Sequence, residues 1–121
     1  MTKRILVVED HDDNLQILRD LLESTEYDMV EARDGEQALI AATRHSPDLI
    51  LMDIQLPIMD GYEVTRRLKA DTALKDIPII VITSYALSGD EEKAFAAGCD
   101  AYVSKPYDPI ALLETIRQYL A

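Results

Sequence analysis

The chain has 121 residues, 48% of them apolar and 29% charged, and 12 Lys+Arg against 23 Asp+Glu leave a formal charge of −11. That length suits one domain, residues 1–121, and the apolar share can fill a core, which excludes a two-domain arrangement and a disordered acidic tail. The negative balance argues against direct DNA binding, because holding phosphate backbones takes Lys/Arg clusters that release counterions and none is visible here.

In chain order, Met1-Thr2-Lys3-Arg4 leads straight into the apolar run Ile5 to Val8, without the longer apolar region and small-residue cleavage site of a secretory signal. The other apolar runs, Leu49 to Met52 and Ile77 to Ile82, fall far short of the roughly 20 residues of a spanning helix. No membrane insertion is expected. The single cysteine, Cys99, has no internal partner for a disulfide, consistent with a reducing, cytoplasmic setting, and after Gly98 it reads as packing matter and not as a nucleophile.

Short apolar runs alternate with stretches of helical period, the pattern of a parallel sheet with crossover helices. The strands are predicted at Ile5 to Val8, Met29 to Ala32, Leu49 to Met52, Ile79 to Thr83 and Ala101 to Ser104. The first, third and fourth are continuous Ile/Leu/Val runs suited to inner positions, and the second and fifth read as edges. Leu15, Leu18 and Leu22 mark the first helix. Ala38, Ala41 and Ala42 mark the second, with Asp34 as its N-cap. Val64 and Leu68 mark the third, and Ala94, Phe95 and Ala97 before a C-capping Gly98 mark the fourth. Leu112, Leu113, Ile116 and Leu120 mark the last. The expected fold class is α/β: a flavodoxin-like (βα)5 sheet in the order 2-1-3-4-5 with helices on both faces. Ligands bind such sheets at the carboxyl ends of the strands.

At those ends stand Glu9-Asp10, Asp53, Thr83-Ser84 and Lys105-Pro106. Crowded carboxylates repel by up to about 4 kcal/mol per pair at ~4 Å and an effective dielectric of 20, unless a cation sits among them. Mg2+ suits an oxygen-only site, and Mn2+ can substitute. A carboxylate at the metal's edge can attack phosphorus, with the metal and a lysine neutralising the equatorial oxygens and a threonine hydroxyl donating to them. Taken singly, each residue also has a plain reading as a cap, a strand end or a solvated charge; their agreement across four loops favours the functional one.

The chain resembles a two-component response regulator receiver domain over its whole length. The resemblance rests on ILVVED at Ile5 to Asp10, PDLILMDIQLPIMDG at Pro47 to Gly61, IIVITS at Ile79 to Ser84 and AYVSKP at Ala101 to Pro106. MDIQLP at Met52 to Pro57 and GDEE at Gly89 to Glu92 resemble single-domain regulators of the DivK type. The resemblance implies Asp53 as phosphoryl acceptor. It implies Asp10 and Asp53 as direct Mg2+ ligands, Glu9 largely through water, and the backbone carbonyl of Gln55 as another. It implies Thr83 and Lys105 on the phosphoryl oxygens and a cis Lys105-Pro106 peptide. The donor it implies is a phosphohistidine on a histidine kinase or histidine phosphotransfer protein. Thr83 and Tyr102 would switch the surface of helix four, strand five and helix five for a downstream protein target. Gln55 and Tyr85 would border the hydrolysing water and set the lifetime of the phosphoryl group, and Ser84 fits a position favouring small residues.

The resemblance thus implies a signalling protein that catalyses its own phosphorylation and dephosphorylation, expected as a monomer or weak homodimer with no output domain in this chain. Tyr102 as an ordinary core aromatic stays open, and so does whether Ile17 and Leu21 complete the core or form a docking patch for kinase helices. His11 reads as an exposed loop residue, since Mg2+ does not favour imidazole, and His45 as a favourable charge at a helix end. Three rivals fit less well. An aspartate-nucleophile phosphatase wants a second Asp where Gln55 stands, an FMN carrier wants a first loop that donates to phosphate where Glu9 to Asp13 is acidic, and a degenerate receiver would have lost Asp53, Lys105 or one of the acidic pair.

Overall fold

Alternating runs of β-branched and helix-forming residues build a repeating βα chain in the computed structural model, which describes residues 2–83 and 89–120. The strands are β1 (Arg4–Val8), β2 (Asp28–Ala32), β3 (Leu49–Asp53), β4 (Ile79–Thr83) and β5 (Ala101–Ser104). The helices are α1 (Asp12–Glu23), α2 (Gly35–His45), α3 (Gly61–Ala70), α4 (Asp90–Ala97) and α5 (Pro109–Leu120). All pairings are parallel and the order is β2-β1-β3-β4-β5, as the sequence predicts. Every residue of β3 and β4 is buried, whereas β2 buries only Ala32 and β5 buries none fully, as inner and edge strands should.

Strand periodicity divides the core in two. Ile5, Val7, Leu49, Leu51, Ile80 and Ile82 face Leu15, Leu18 and Leu22 of α1 and Leu112, Ile116 and Leu120 of α5. Their alternates Leu6, Val8, Ile50, Met52, Ile79 and Val81 face Ala38 and Ala42 of α2, Val64 and Leu68 of α3 and Ala94 of α4. Right-handed crossovers explain this division. β1 to β2 moves one way along the sheet and the later connections move the other, so α1 lies on the face opposite α2, α3 and α4. The reversal leaves a crevice between the carboxyl ends of β1 and β3.

Helix ends follow local chemistry. Asp34 accepts from the Gln37 amide at 2.7 Å and Asp60 from the Glu63 amide at 2.9 Å, each relieving an unpaired first-turn N–H. Gly98 ends α4 at φ 111°, a conformation that side chains disfavour. Phe95, which marks α4 in the sequence, is 46% exposed. In this eight-residue helix Ala94 and Ala97, three apart, hold the buried face, and Phe95 stands about 100° round from Ala94. Leu74, in the turn after α3, plugs the core in a way that periodicity did not announce. Among the described residues no helix is long and apolar enough to cross a membrane.

Candidate functional site

Four loops bring the strand-end residues together. At the end of β1, the Glu9 amide donates to Ala32 O at 3.0 Å, which carries the ladder one residue past the strand and turns the Glu9 side chain inward to 2% exposure. Glu9 Oε1 accepts from the His11 amide at 3.2 Å and from Asn14 Nδ2 at 3.4 Å. Its Oε2 accepts from Lys105 Nζ at 3.1 Å. A buried carboxylate is tolerated when both oxygens are held in this way.

Asp53 closes β3 at 6% exposure, and its Oδ1 accepts from the Gln55 amide at 3.3 Å. The loop after it returns at once, because the Gly61 amide donates to Ile54 O at 2.9 Å. A Cβ on Gly61 would lie 2.3 Å from Asp53 O, so only glycine allows α3 to start this close to the strand end. Burial first, then the Glu9 charge, pushes the Asp53 carboxyl up to about 7, while Lys105 pulls it down. A carboxyl so perturbed at a strand-end crevice marks a functional position.

Thr83 ends β4 at 1% exposure, and its carbonyl accepts from the Lys105 amide at 2.8 Å, which ties the two loops together. The Lys105-Pro106 peptide is cis, as the resemblance implies. Glu9, Asp10, His11 and Asp53 each bring one ligand atom to within 4.8 Å of the others. Within that cluster Asp10 Oδ1 is buried and makes no hydrogen bond among the described residues. Carboxylates grouped around an unbonded buried oxygen fit a hard divalent cation. Gln55 is exposed beside Asp53. Ser84 and Tyr85 lie outside the described residues.

Tyr102 is half-buried on the α2–α3–α4 side of the sheet, in register with Val81. Burial raises its phenol above the usual range, with the Asp90 charge as the next cause. Nearby, Tyr62 OH at the start of α3 donates to Asp90 Oδ1 at 3.3 Å, a link between α3 and α4 that the sequence did not reveal. On the other face the open alternative divides. Leu21 packs on the core, but Ile17 is 51% exposed and lines a groove of about 400 Å³ with Asn14, Lys105, Pro106, Tyr107 and Pro109. Cys99 is buried and its thiol is raised to about 11 by burial, which suits packing and not reaction. His45 lies in the last turn of α2, where its protonated form would meet the negative helix end. His11 is 65% exposed, as expected of a loop residue, and its ring also reaches the acidic cluster.

Comparison with known proteins agrees with this geometry. The response regulator receiver domain family model matches residues 5–117. The chain is 48% identical over 120 residues to the polar-differentiation response regulator DivK of Brucella ovis, covering 99% of this chain and 98% of that protein. The receiver domain of the sensor histidine kinase PA1611 from Pseudomonas aeruginosa PAO1, with a magnesium ion coordinated in its active-site cleft, superposes with a TM-score of 0.91 at 36% identity, covering 99% and 98% of the two chains. The phosphorylated cyanobacterial phytochrome response regulator RcpA superposes at 0.85 with 27% identity, covering 98% and 91%.

Proposed function

This chain belongs to the response regulator receiver domain family, and from that premise we propose that its switch is Asp53, the acceptor of a phosphoryl group from a phosphohistidine. The chain is a signalling receiver of two-component type and not a classical enzyme. In the proposed transfer an Asp53 oxygen attacks phosphorus in line, the P–N bond of the donor breaks, and the imidazole leaves with the electron pair. Asp10, Asp53 and the Gln55 carbonyl would hold Mg2+ directly, with Glu9 largely through water and with Mn2+ able to substitute. The bound ion would neutralise the phosphoryl oxygens. Lys105, anchored on Glu9 at 3.1 Å, stands ready to move onto a phosphoryl oxygen, and the Thr83 hydroxyl donates to another.

The observation that carries this reading is a carboxyl buried at the end of β3 among two other carboxylates, with a lysine from β5's loop reaching into the same crevice. Phosphorylation adds charge and acceptor oxygens there. We propose that Thr83 follows them and Tyr102 turns inward, altering the α4–β5–α5 surface read by a downstream protein. The donor is a histidine kinase or histidine phosphotransfer protein in the cytoplasm, with the groove beside Ile17 as its docking place. The receiver acts as a monomer or weak homodimer and does not bind DNA or insert into membranes. It hydrolyses its own phosphoryl group at a rate set by Gln55 and Tyr85, so a Gln55→Ala, Tyr85→Ala double variant alters the dephosphorylation half-life, and an unchanged half-life contradicts that assignment.

The test is intact mass after incubation with acetyl phosphate, with and without Mg2+, beside Asp53→Asn. One Mg2+-dependent phosphoryl addition to the wild type and none to the variant are expected. An addition retained by the variant overturns Asp53 as acceptor, and no addition from acetyl phosphate or from a phosphohistidine donor overturns the switch.

A further inference from the structure

His11 is one residue beyond the acidic pair, and its backbone caps α1 in an extended conformation while its side chain makes no capping hydrogen bond. The imidazole is therefore not engaged in holding the helix. Its Nδ1 lies 3.1 Å from Asp10 Oδ1 and 3.5 Å from Glu9 Oε1. Among the described residues Asp10 Oδ1 accepts no hydrogen bond, so the approach at 3.1 Å is an ion pair when the ring is protonated and an unbonded contact when it is neutral. For the neutral ring, two ligand atoms side by side without a bond between them are what neighbouring positions on one metal ion require. At bonds of about 2.1 Å, adjacent ligands of an octahedron stand roughly 3 Å apart. Asp53 completes the cluster within 4.8 Å.

Resting on the divalent-cation site proposed above, we infer that His11 is a nitrogen ligand of that site, giving it a preference for Ni2+, Co2+ and Mn2+ over Mg2+ beyond that of an all-oxygen site. Imidazole binds borderline transition ions well and Mg2+ poorly. At 65% exposure the ring can swing onto an ion that wants nitrogen and swing away when Mg2+ takes water instead. The switch of this chain is then open to two classes of cation, distinguished by whether His11 is bound.

Calorimetric titration with MgCl2 and with NiCl2 tests this on the wild type, His11→Asn and His45→Asn. Asparagine keeps the preference for the helix-capping position, and His45 is the only other histidine in the chain. His11→Asn is expected to weaken Ni2+ binding about tenfold or more and to change Mg2+ binding by less than about twofold. His45→Asn is expected to change neither. With Mn2+ bound, pulsed electron paramagnetic resonance of the wild type should show a directly coordinated nitrogen that His11→Asn removes. Equal losses for Mg2+ and Ni2+ in His11→Asn, or an unchanged Ni2+ affinity and nitrogen coupling, overturn the inference and leave the cation site standing. A wild type that binds neither ion overturns the site itself.

Discussion

Removing the Asp53 charge should stabilise the metal-free protein. The carboxylates of Glu9, Asp10 and Asp53 bring oxygens within 4.8 Å of one another. At that separation each like pair repels by about 3.5 kcal/mol at an effective dielectric near 20, and Lys105, held on Glu9 at 3.1 Å, offsets part of it. The direction also follows from titration. With Asp53 held up to about 7, the folded state keeps a proton that the unfolded state has lost, so metal-free stability falls as pH rises from about 4 through about 7. Asp53→Asn keeps an acceptor for the Gln55 amide and lacks the charge. In EDTA at about pH 8 we expect urea denaturation to show the variant more stable by about 2 to 4 kcal/mol, with the m-value unchanged and the downward slope with pH reduced. Saturating Mg2+ should stabilise the wild type by about 2.7 kcal/mol at a hundred times Kd, and the variant by much less. A variant no more stable than the wild type in EDTA, or one stabilised equally by Mg2+, would refute the argument that unbalanced carboxylates are stored at this site.

Lys105→Met should leave Glu9, 2% exposed, without its cation and lower metal-free stability by about 3 kcal/mol in the same urea assay; a loss under about 1 kcal/mol would mean that the backbone and Asn14 donors suffice. Gly61→Ala should cost about 2 kcal/mol or more, because its Cβ meets Asp53 O at 2.3 Å. Gly89→Ala, with φ 91° and nothing within 4 Å among the described residues, should cost only about 1 kcal/mol of backbone strain, and equal losses in thermal melts would contradict the close-approach account. Cys99, raised to about 11 and buried, should react with a thiol reagent at neutral pH only as fast as the chain opens; rapid labelling of the native protein would contradict its burial.

β1, β3 and β4 were legible because burial on both faces demands unbroken Ile/Leu/Val, and across all five strands the observed bounds differ from the predicted ones by no more than one residue, at Arg4, Asp28 and Asp53. The alanines of α2 and α4 were legible for a related reason: helices packed close to a sheet need small residues at three- and four-residue spacing. Phe95 marked α4 in sequence without belonging to its buried face, because eight residues hold too few apolar positions to define a stripe. Glu9, Asp53 and Lys105 were legible because a charge directly after a buried strand has few places to go but the crevice. The link from Tyr62 to Asp90 joins two helices 28 residues apart, and no local pattern encodes such a pairing.

His11 fits the expectation of an exposed loop residue and yet its ring also meets the acidic cluster. The acidic cluster was taken as an oxygen site, so a histidine beside it was judged by what Mg2+ prefers, and its exposure supported that judgement. Exposure and ligation do not conflict at the rim of a crevice. A side chain 65% exposed loses little on reaching inward, and the neighbour it reaches is an oxygen that otherwise makes no hydrogen bond. Asp10 Oδ1 is buried and accepts no hydrogen bond among the described residues, and a cation beside it would offset the cost of that unsatisfied charge, as the His11 ring at 3.1 Å does in part when protonated. Mg2+ with its waters and a transition ion with the His11 ring would both meet that demand, at the same carboxylates that the proposed acceptor Asp53 needs screened before phosphorus can approach. On the proposed reading, cation identity and phosphoryl acceptance are coupled through Asp10. On this argument, replacing Asp10 by Asn should reduce the affinity for Mg2+ and Ni2+ together, whereas replacing His11 separates them.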